Sequence, residues 1–139
     1  MIINMKILKI KTNKREEIID ITKEVNELIK DVKNGSVLVF SKHTTTGLTI
    51  NENDDPVIKD DLLDYLSKAI LRGKWRHDVS GRCNRGNNAD AHIKASLIGN
   101  SKLIPIENGK LALGEWQSLW LCEFDGPRER EILVQKNAM

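Results

Sequence analysis

The sequence lacks the paired cysteines and the long apolar runs by which several classes of protein are recognised. Its two cysteines, Cys83 and Cys122, form no CxxC pair, which excludes a cysteine zinc knuckle and provides no disulfide framework. No charged start precedes a long apolar stretch, and no apolar run is long enough to span a bilayer. We therefore expect neither a signal peptide nor a membrane span. The simplest compartment is the cytoplasm, where free thiols persist.

An excess of charge of one sign is also missing. The 22 basic and 20 acidic residues give a net charge of only +2. Proteins that bind nucleic acid or a membrane surface usually carry a basic stripe, so neither kind of partner is expected. The sequence contains no HExxH motif, no Walker loop and no Rossmann fingerprint, so no single motif identifies its chemistry.

The length of 139 residues fits one domain, 1–139, with a sizeable core. Apolar side chains recur mostly at three- and four-residue steps over 15–32, which predicts a first helix. A second helix is predicted from Asp54 to about Leu71, and a third over 89–98. Strands are predicted at 2–10, 36–41, 48–52, 101–106, 110–113, 115–124 and 129–135. Strands before, between and after helices favour an α+β fold with mostly antiparallel pairing.

The three histidines all lie in polar, turn-prone stretches. His43 precedes three threonines, His77 lies between an arginine and an aspartate, and His92 follows a run with two asparagines and an aspartate. This composition is typical of a site for a metal ion or for proton transfer on a polar substrate. Three separated histidines indicate a metal only if the fold brings them together.

Each histidine segment also has a plain structural interpretation. The threonines after His43 can meet an anion or can simply favour a strand. In the loop around His77, Trp75 offers a stacking surface and Asp78 can orient the imidazole, or the tryptophan only anchors the loop. At the start of the third helix, free N–H groups can hold an anion and lower the proton affinity of His92, or the asparagines only cap the helix.

Two further polar segments have open alternatives. The acidic run 51–55, which contains Glu52, can bind a divalent cation or the magnesium of a diphosphate, or it can cap the second helix. Trp116 and Trp120 are four apart on a predicted strand, so they share a face, and the plain interpretation of both is core. Arg128 follows a tight turn, where it can hold a phosphate or remain solvated.

Taken in order, these segments resemble the YjbQ-like family of secondary thiamine-phosphate synthases. The residues that carry the resemblance occur over nearly the whole chain: His43-Thr44-Thr45, Asn51-Glu52 with Asp55-Pro56, Trp75-Arg76-His77, 88–94, 109–117 and 123–130. The resemblance implies a two-sheet, mostly antiparallel β-sandwich with two or three helices, assembled as a homotrimer. It also implies a site formed by the three histidines with a bound divalent metal, zinc or magnesium.

The resemblance assigns roles to individual residues. It implies catalytic roles for His43, Glu52 and His92, and metal binding by His43, His77 and His92. It implies substrate binding by Thr45, Asn88, Trp116, Gln117 and Arg128. The chain departs from the family at Glu115, where a small hydroxyl residue is usual before the tryptophan, and Cys83 is particular to this sequence.

The activity that the resemblance implies joins an aminopyrimidine methyl diphosphate to a thiazole phosphate and releases diphosphate. Departure of diphosphate needs positive charge, and a heteroaromatic ring needs a stacking surface; the chain has residues for both. Two alternatives stay open on the sequence alone. One is a metal-dependent hydrolase of a phosphorylated metabolite, and the other is a non-enzymatic module that binds a small ligand.

Overall fold

Two antiparallel sheets packed face to face form the body of the computed structural model, which describes residues 4–82 and 85–139. The strands are β1 (Met5–Lys11), β2 (Glu17–Asp20), β3 (Asn34–Ser41), β4 (Thr46–Glu52), β5 (Ser101–Glu107), β6 (Lys110–Leu111), β7 (Gln117–Glu123) and β8 (Glu129–Ala138). The helices are α1 (Thr22–Leu28), α2 (Val57–Ala69) and α3 (Ala89–Ile98), with a short 3-10 helix at Arg76–Val79. The predicted α+β sandwich with two or three helices is confirmed for this part of the chain.

The two sheets differ in size. Sheet A has the strand order β1-β8-β3-β5-β6, and sheet B has the order β2-β7-β4. Every pairing between these strands is antiparallel. In sheet B, the register of β4 and β7 sets Thr46 opposite Glu123 at one end and Glu52 opposite Gln117 at the other. This register decides which predicted site residues can meet.

Alternation along the strands divides the apolar side chains between two layers. Val39 of β3, Leu121 of β7 and Val134 of β8 are fully buried between the sheets. Their neighbours on β7 point the other way, and α2 and α3 cover that outer face of sheet B with a second apolar cluster that includes Phe124 and Ala91. Sheet B is therefore buried on both faces, and α3 is held against it. Among the described residues, no helix is long and apolar enough to cross a bilayer.

The helix predicted over 15–32 is wrong in its first part. Residues Glu17–Asp20 form β2, which pairs with β7, and α1 covers only Thr22–Leu28. Ile18 packs under the helices, whereas Ile19 packs between the sheets, which is the two-residue alternation of a strand. Adjacent β-branched residues suit a strand, and pairing with β7 overrides the helical spacing that the sequence also contains.

The segment before β7 also differs from its prediction. The strand begins at Gln117 rather than at 115, so Trp116 lies outside it and is 59% exposed. Trp120 is fully buried, as expected for a core residue. The core interpretation is therefore wrong for Trp116 and confirmed for Trp120.

Candidate functional site

Four connecting segments meet at one end of the sandwich. They are the loop after β3, the 3-10 helix, the start of α3 and the turn between β7 and β8. The imidazole rings of His77 and His92 contact each other edge to face, with centroids 5.0 Å apart. His77 is exposed, and His92 is half-buried. The structure thus brings together two of the three histidines from separate segments.

A pocket of about 250 Å³ opens beside this histidine pair, and we name it the arginine pocket. It is lined by Thr44, Thr45, His77, Arg82, Arg85, Asn88, His92, Asp125 and Arg128. Three arginines against one carboxylate give the lining a charge of +2 before either histidine is protonated. Guanidinium groups supply paired N–H donors that match phosphate oxygens, so the lining suits an anion.

Asp125 organises the donors of the arginine pocket. Its Oδ2 atom accepts hydrogen bonds from Arg85 Nε at 3.1 Å, Arg128 at 3.0 Å and Asn88 Nδ2 at 3.0 Å. The backbone carbonyl of Asp125 also accepts from both arginines. The Asp125 carboxylate is nearly fully buried. It therefore holds these donors in place while its negative charge stays away from the mouth of the pocket.

The turn that carries Asp125 and Arg128 requires a glycine at position 126. A Cβ atom there would lie 2.4 Å from the carbonyl oxygen of Lys14, which is backbone and cannot move aside cheaply. The Gly126–Pro127 peptide is cis. The backbone N–H of Arg128 donates to Thr12 Oγ1 at 2.9 Å, which fastens the turn to the end of β1. The β7–β8 turn is thus held by close contacts with the segment that follows β1.

A buried ion pair lies below the pocket. Arg130 and Glu123, both at most 1% exposed, pair across β8 and β7. Arg130 also donates to Thr45 Oγ1 at 2.8 Å. Thr45 is buried, and because its oxygen accepts from Arg130, its own hydroxyl proton is left to donate elsewhere. The predicted substrate residue Thr45 therefore lines the pocket as a positioned donor.

His43 has a fixed tautomer. Its Nε2 atom accepts the backbone N–H of Glu131 at 2.9 Å, so the neutral ring carries its proton on Nδ1. Burial, and then the positive charge of Arg130, hold the pKa of His43 below its ordinary value. The ring lines a second, larger pocket of about 500 Å³. That larger pocket is lined by Phe40, Ser41, Lys42, His43, Thr44, Thr46, His92, Ala95, Ser96, Gly99 and Asn100.

His92 lies between the two pockets. It lines both of them, and Thr44 is the other residue that both share. Burial, followed by the neighbouring His77, lowers the pKa of His92. Its backbone N–H donates to Asn88 O in the first turn of α3. A neutral imidazole at this divide can donate or accept one proton near pH 7.

The predicted three-histidine metal centre does not fit this arrangement. Among residues 4–82 and 85–139, no group of three or more His, Cys, Asp or Glu side chains is placed to hold a metal ion. His43 lies in the larger pocket with its Nε2 already bonded, whereas His77 lies in the arginine pocket. Cys83 lies outside the described residues. The described residues therefore do not fit a zinc or magnesium ion held by the three histidines.

Three predicted site residues lie at the opposite end of sheet B. Glu52 pairs with Gln117, six positions along β4 from Thr46, which corresponds to roughly 20 Å at about 3.3 Å per residue. Trp116 precedes Gln117. Glu52 accepts the N–H of Asp55, and Gln117 accepts that of Gly114, so both side chains brace local turns. Within a single chain, Glu52, Trp116 and Gln117 therefore do not lie at the end of sheet B where the histidines lie, and their site roles stay predictions.

The sequence left open whether Asp78 orients the imidazole of His77, and the described residues show no direct bond between the two side chains. The carboxylate oxygens of Asp78 accept the backbone N–H groups of Trp75 at 3.2 Å and Ala89 at 3.1 Å. The Asp78 carboxylate therefore accepts hydrogen bonds from the main chain rather than from a histidine ring. Sequence reasoning also missed Arg82, Arg85 and Asp125; two arginines in the glycine-rich loop 81–86 were the available signal.

The family comparisons agree with the fold and with the ordered motifs. Residues 6–138 match the model of the family described as UPF0047 protein YjbQ-like. The chain belongs to the YjbQ/UPF0047 family. This confirms the resemblance seen in the sequence, although the relatives' names describe no activity.

Relatives of the YjbQ/UPF0047 family cover almost the whole chain. The chain is 46% identical over 129 residues to a UPF0047 protein of Archaeoglobus fulgidus, covering 92% of this chain and 97% of the relative. It is 44% identical over 133 residues to UPF0047 protein YugU of Bacillus subtilis, covering 94% and 97%. A crystal structure of an uncharacterized conserved YjbQ/UPF0047 protein from Clostridium acetobutylicum has a TM-score of 0.85 at 44% identity, with coverage of 95% and 99%. Hypothetical protein APE1520 from Aeropyrum pernix has a TM-score of 0.88 at 30% identity, with coverage of 97% and 98%.

Proposed function

We propose that this YjbQ-family protein is an enzyme whose arginine pocket binds the phosphoryl end of a small-molecule substrate. The specific reaction that we propose is the coupling of an aminopyrimidine methyl diphosphate to a thiazole phosphate. One observation carries the proposal: the arginine pocket adjoins the larger pocket, and His92 and Thr44 form the wall between them. This is the arrangement that a reaction between two partly polar molecules requires.

The charge of the arginine pocket supports a phosphorylated ligand. Its lining of +2 balances a phosphate monoester, which carries about −1.5 to −2 at pH 7. Arg128 is about one-third exposed and Arg85 is more exposed than that, so an incoming anion can reach both guanidinium groups. A volume of about 250 Å³ holds a phosphoryl or diphosphoryl group with part of its substituent, and it is smaller than a pocket for a whole drug-sized ligand.

The larger pocket supports a second reactant. Its lining includes Phe40 and Ala95 as apolar contacts and Ser96 and Asn100 as hydrogen-bonding groups. This mixture suits a small heteroaromatic ring with polar edges. With one reactant in each pocket, the reacting atoms meet beside His92 and Thr44.

The proposed reaction balances without an oxidant or a reductant. The ring nitrogen of the thiazole forms a bond to the methylene carbon of the aminopyrimidine, and the bond from that carbon to the diphosphate oxygen breaks. The leaving diphosphate takes the electron pair, so negative charge grows on the oxygens that Arg82, Arg85 and Arg128 face. Cations stabilise developing charge most when they are already in position. Here the hydrogen bonds of Asp125 with Arg128 and Asn88 fix the arginine side of the pocket in advance.

The assembly that the family resemblance implies, a homotrimer, is also part of the proposal. The outer face of sheet A carries an apolar patch in two rows of the register. In one row Leu38 lies beside Leu103, and Gln135 separates Leu38 from Met5. In the other row Ile7, Leu133 and Phe40 are aligned without a break. Met5, Ile7 and Leu103 are 48%, 52% and 70% exposed. A contiguous exposed apolar patch marks an interaction surface, and we propose that a second copy covers it.

Product analysis tests the proposed reaction. We expect the purified protein, incubated with both phosphorylated substrates, to yield the coupled product and one equivalent of diphosphate by 31P NMR. Release of orthophosphate from either substrate alone would instead show a hydrolase. Binding of the substrates without any product would show a ligand-binding module. Residues whose substitution abolishes the coupling, beginning with His92→Ala, would then be assigned to the chemistry.

A further inference from the structure

One carboxylate connects the two segments that carry the contacting histidines. Asp78 Oδ2 accepts the backbone N–H of Trp75, the residue just before the 3-10 helix, at 3.2 Å. Asp78 Oδ1 accepts the backbone N–H of Ala89, the first residue of α3, at 3.1 Å. A carboxylate at a helix start satisfies an N–H group that has no partner within the helix and lies at the positive end of the helix dipole. Asp78 does this for two helices at once.

In the part of the chain that the structure describes, few other contacts hold the segment that carries His77. One is at its start, where Arg72 Nε donates to Asn87 O at 2.8 Å. From Gly73 to Arg82, every described side chain is exposed except Asp78, which is half-buried. Val79 is 84% exposed, so apolar burial does not fix the 3-10 helix. The indole N–H of Trp75 donates to Leu71 O at 2.7 Å, which attaches the segment to the end of α2 but not to α3.

The position of Asp78 relates it to both imidazoles. His77 is its immediate neighbour in the 3-10 helix, and His92 lies three residues after Ala89 in α3. The two rings are in contact at 5.0 Å, and both line the arginine pocket, whereas Asp78 does not line it. The carboxylate therefore acts on the pocket only through the backbone segments that it ties together.

We propose that Asp78 is a positioning residue that sets His77 against His92 on the wall of the arginine pocket. Its effect on anion binding rests on the proposed function, but its effect on the ring pair does not. The Asp78→Ala variant removes both acceptors. The Asp78→Asn variant keeps one oxygen acceptor and places an NH₂ group where the other stood, so it retains one of the two ties.

Asp55 provides a matched control. Its Oδ1 atom accepts the N–H of Val57 at 3.0 Å and caps the start of α2 in the same way. That helix begins just after Glu52, at the end of sheet B remote from the arginine pocket. Asp55→Ala therefore removes a similar helix cap without touching the segments of His77 or His92.

The test is NMR of the ring protons together with an orthophosphate titration. We expect a cross-relaxation peak between His77 and His92 ring protons in the unsubstituted protein and in Asp55→Ala. We expect that peak to weaken in Asp78→Asn and to vanish in Asp78→Ala. Orthophosphate should bind Asp78→Ala on the order of fivefold more weakly, because both ties of Asp78 are lost and the ring pair is no longer held on the pocket wall.

The outcomes separate this inference from the proposed function. A ring–ring peak of unchanged intensity in Asp78→Ala would overturn the positioning role, as would an equal loss in Asp55→Ala. If the unsubstituted protein binds no orthophosphate, that result contradicts the proposed function. The ring–ring peak still decides the role of Asp78 in that case. If Asp78→Ala fails to fold, Asp78→Asn decides it, because an undiminished peak there would overturn the role.

Discussion

At the scale of single residues, the site depends on how each polar side chain is held. Asp125 gathers Arg85, Asn88 and Arg128 on one oxygen, and Arg130 holds the hydroxyl of Thr45 from below. His43 has one nitrogen fixed by a backbone N–H, so it serves the larger pocket as an Nδ1–H donor. Most of these partners are far apart in sequence, which is why residue types alone could not predict how each side chain is held.

Arg128 gives the most direct residue-scale prediction. We expect Arg128→Ala to weaken inorganic diphosphate binding roughly tenfold, because a charge-assisted contact is lost and Asp125 is left less compensated. Arg128→Lys should lie between, because it keeps the charge but loses the planar fork. Isothermal titration calorimetry measures both. Lys110→Ala, which removes one exposed positive charge on β6, is the charge control and should bind diphosphate normally. Equal weakening in Arg128→Ala and Lys110→Ala would show a general charge effect instead.

His43 predicts a pH dependence of stability. Its folded-state pKa is lowered from 6.5, so the unfolded chain binds the proton more tightly. The contribution of His43 to the free energy of unfolding is therefore present above pH 6.5 and is lost as the pH falls through the window between 6.5 and the lower folded-state pKa. We expect His43→Gln to reduce the slope of stability against pH in that window, measured by urea denaturation. A slope that the substitution leaves unchanged would contradict the assigned burial and the bond to Glu131.

At the scale of elements, turns and strand registers decide what the sequence could and could not predict. The predicted strands and α3 were recovered because the alternation of the strands and the glycine that ends α3 are local signals. Residues 15–20 were not, because pairing of β2 with β7 is a tertiary contact that no local period reveals. The separation of Glu52 from His43 was available in principle, since a predicted strand lies between them and a strand holds its ends apart.

Other parts of the site were beyond the sequence. Asn88, His92, His77 and Arg128 meet because α3 packs on the outer face of sheet B and the β7–β8 turn folds back toward it. Nothing local in the sequence indicates that Asp125 would collect two arginines. The family resemblance named residues that lie together at this end, and it also named Glu52, Trp116 and Gln117, which lie at the other end of sheet B.

The β7–β8 turn predicts a strong effect of a small substitution. Gly126→Ala places a methyl group against Lys14 O and Thr12 Oγ1, so we expect the free energy of unfolding to fall by about 1–3 kcal/mol. Gly114→Ala is the matched control, because its new methyl group meets only the flexible side chain of Gln117 at 3.3 Å. Urea denaturation of both variants checks this. Equal stability of the two variants would show that the turn tolerates the methyl group.

At the scale of the whole molecule, the surface proposed for the trimer contact lies next to one of the two pockets proposed for the reaction. Phe40 belongs to the apolar patch on sheet A and also lines the larger pocket. A second copy on that patch would therefore lie beside the pocket. The opposite end of sheet B, with exposed Trp116, is left for other contacts of the assembled protein.

The apolar patch predicts the outcome of one pair of substitutions. We expect light scattering coupled to gel filtration to give the mass of three chains for the unsubstituted protein. Leu103→Lys should shift the mass to one chain, because a charge would be buried at the proposed interface. Leu97→Lys should leave three chains, since Leu97 is equally exposed, 68% against 70%, but lies on α3. A trimer that survives Leu103→Lys would place the interface elsewhere.

The central claim is that one end of the sandwich is an anion site built from Arg82, Arg85 and Arg128. Titration of the 15N-labelled protein with inorganic diphosphate tests it most directly, because every amide reports its own surroundings. We expect saturable shifts at Thr44, His77, Asn88 and Arg128, with those at Glu52 and Trp116 unchanged. Shifts confined to the Glu52 end of sheet B would contradict this claim. So would the absence of any shift up to a diphosphate concentration of about 10 mM, which is roughly the weakest affinity of interest.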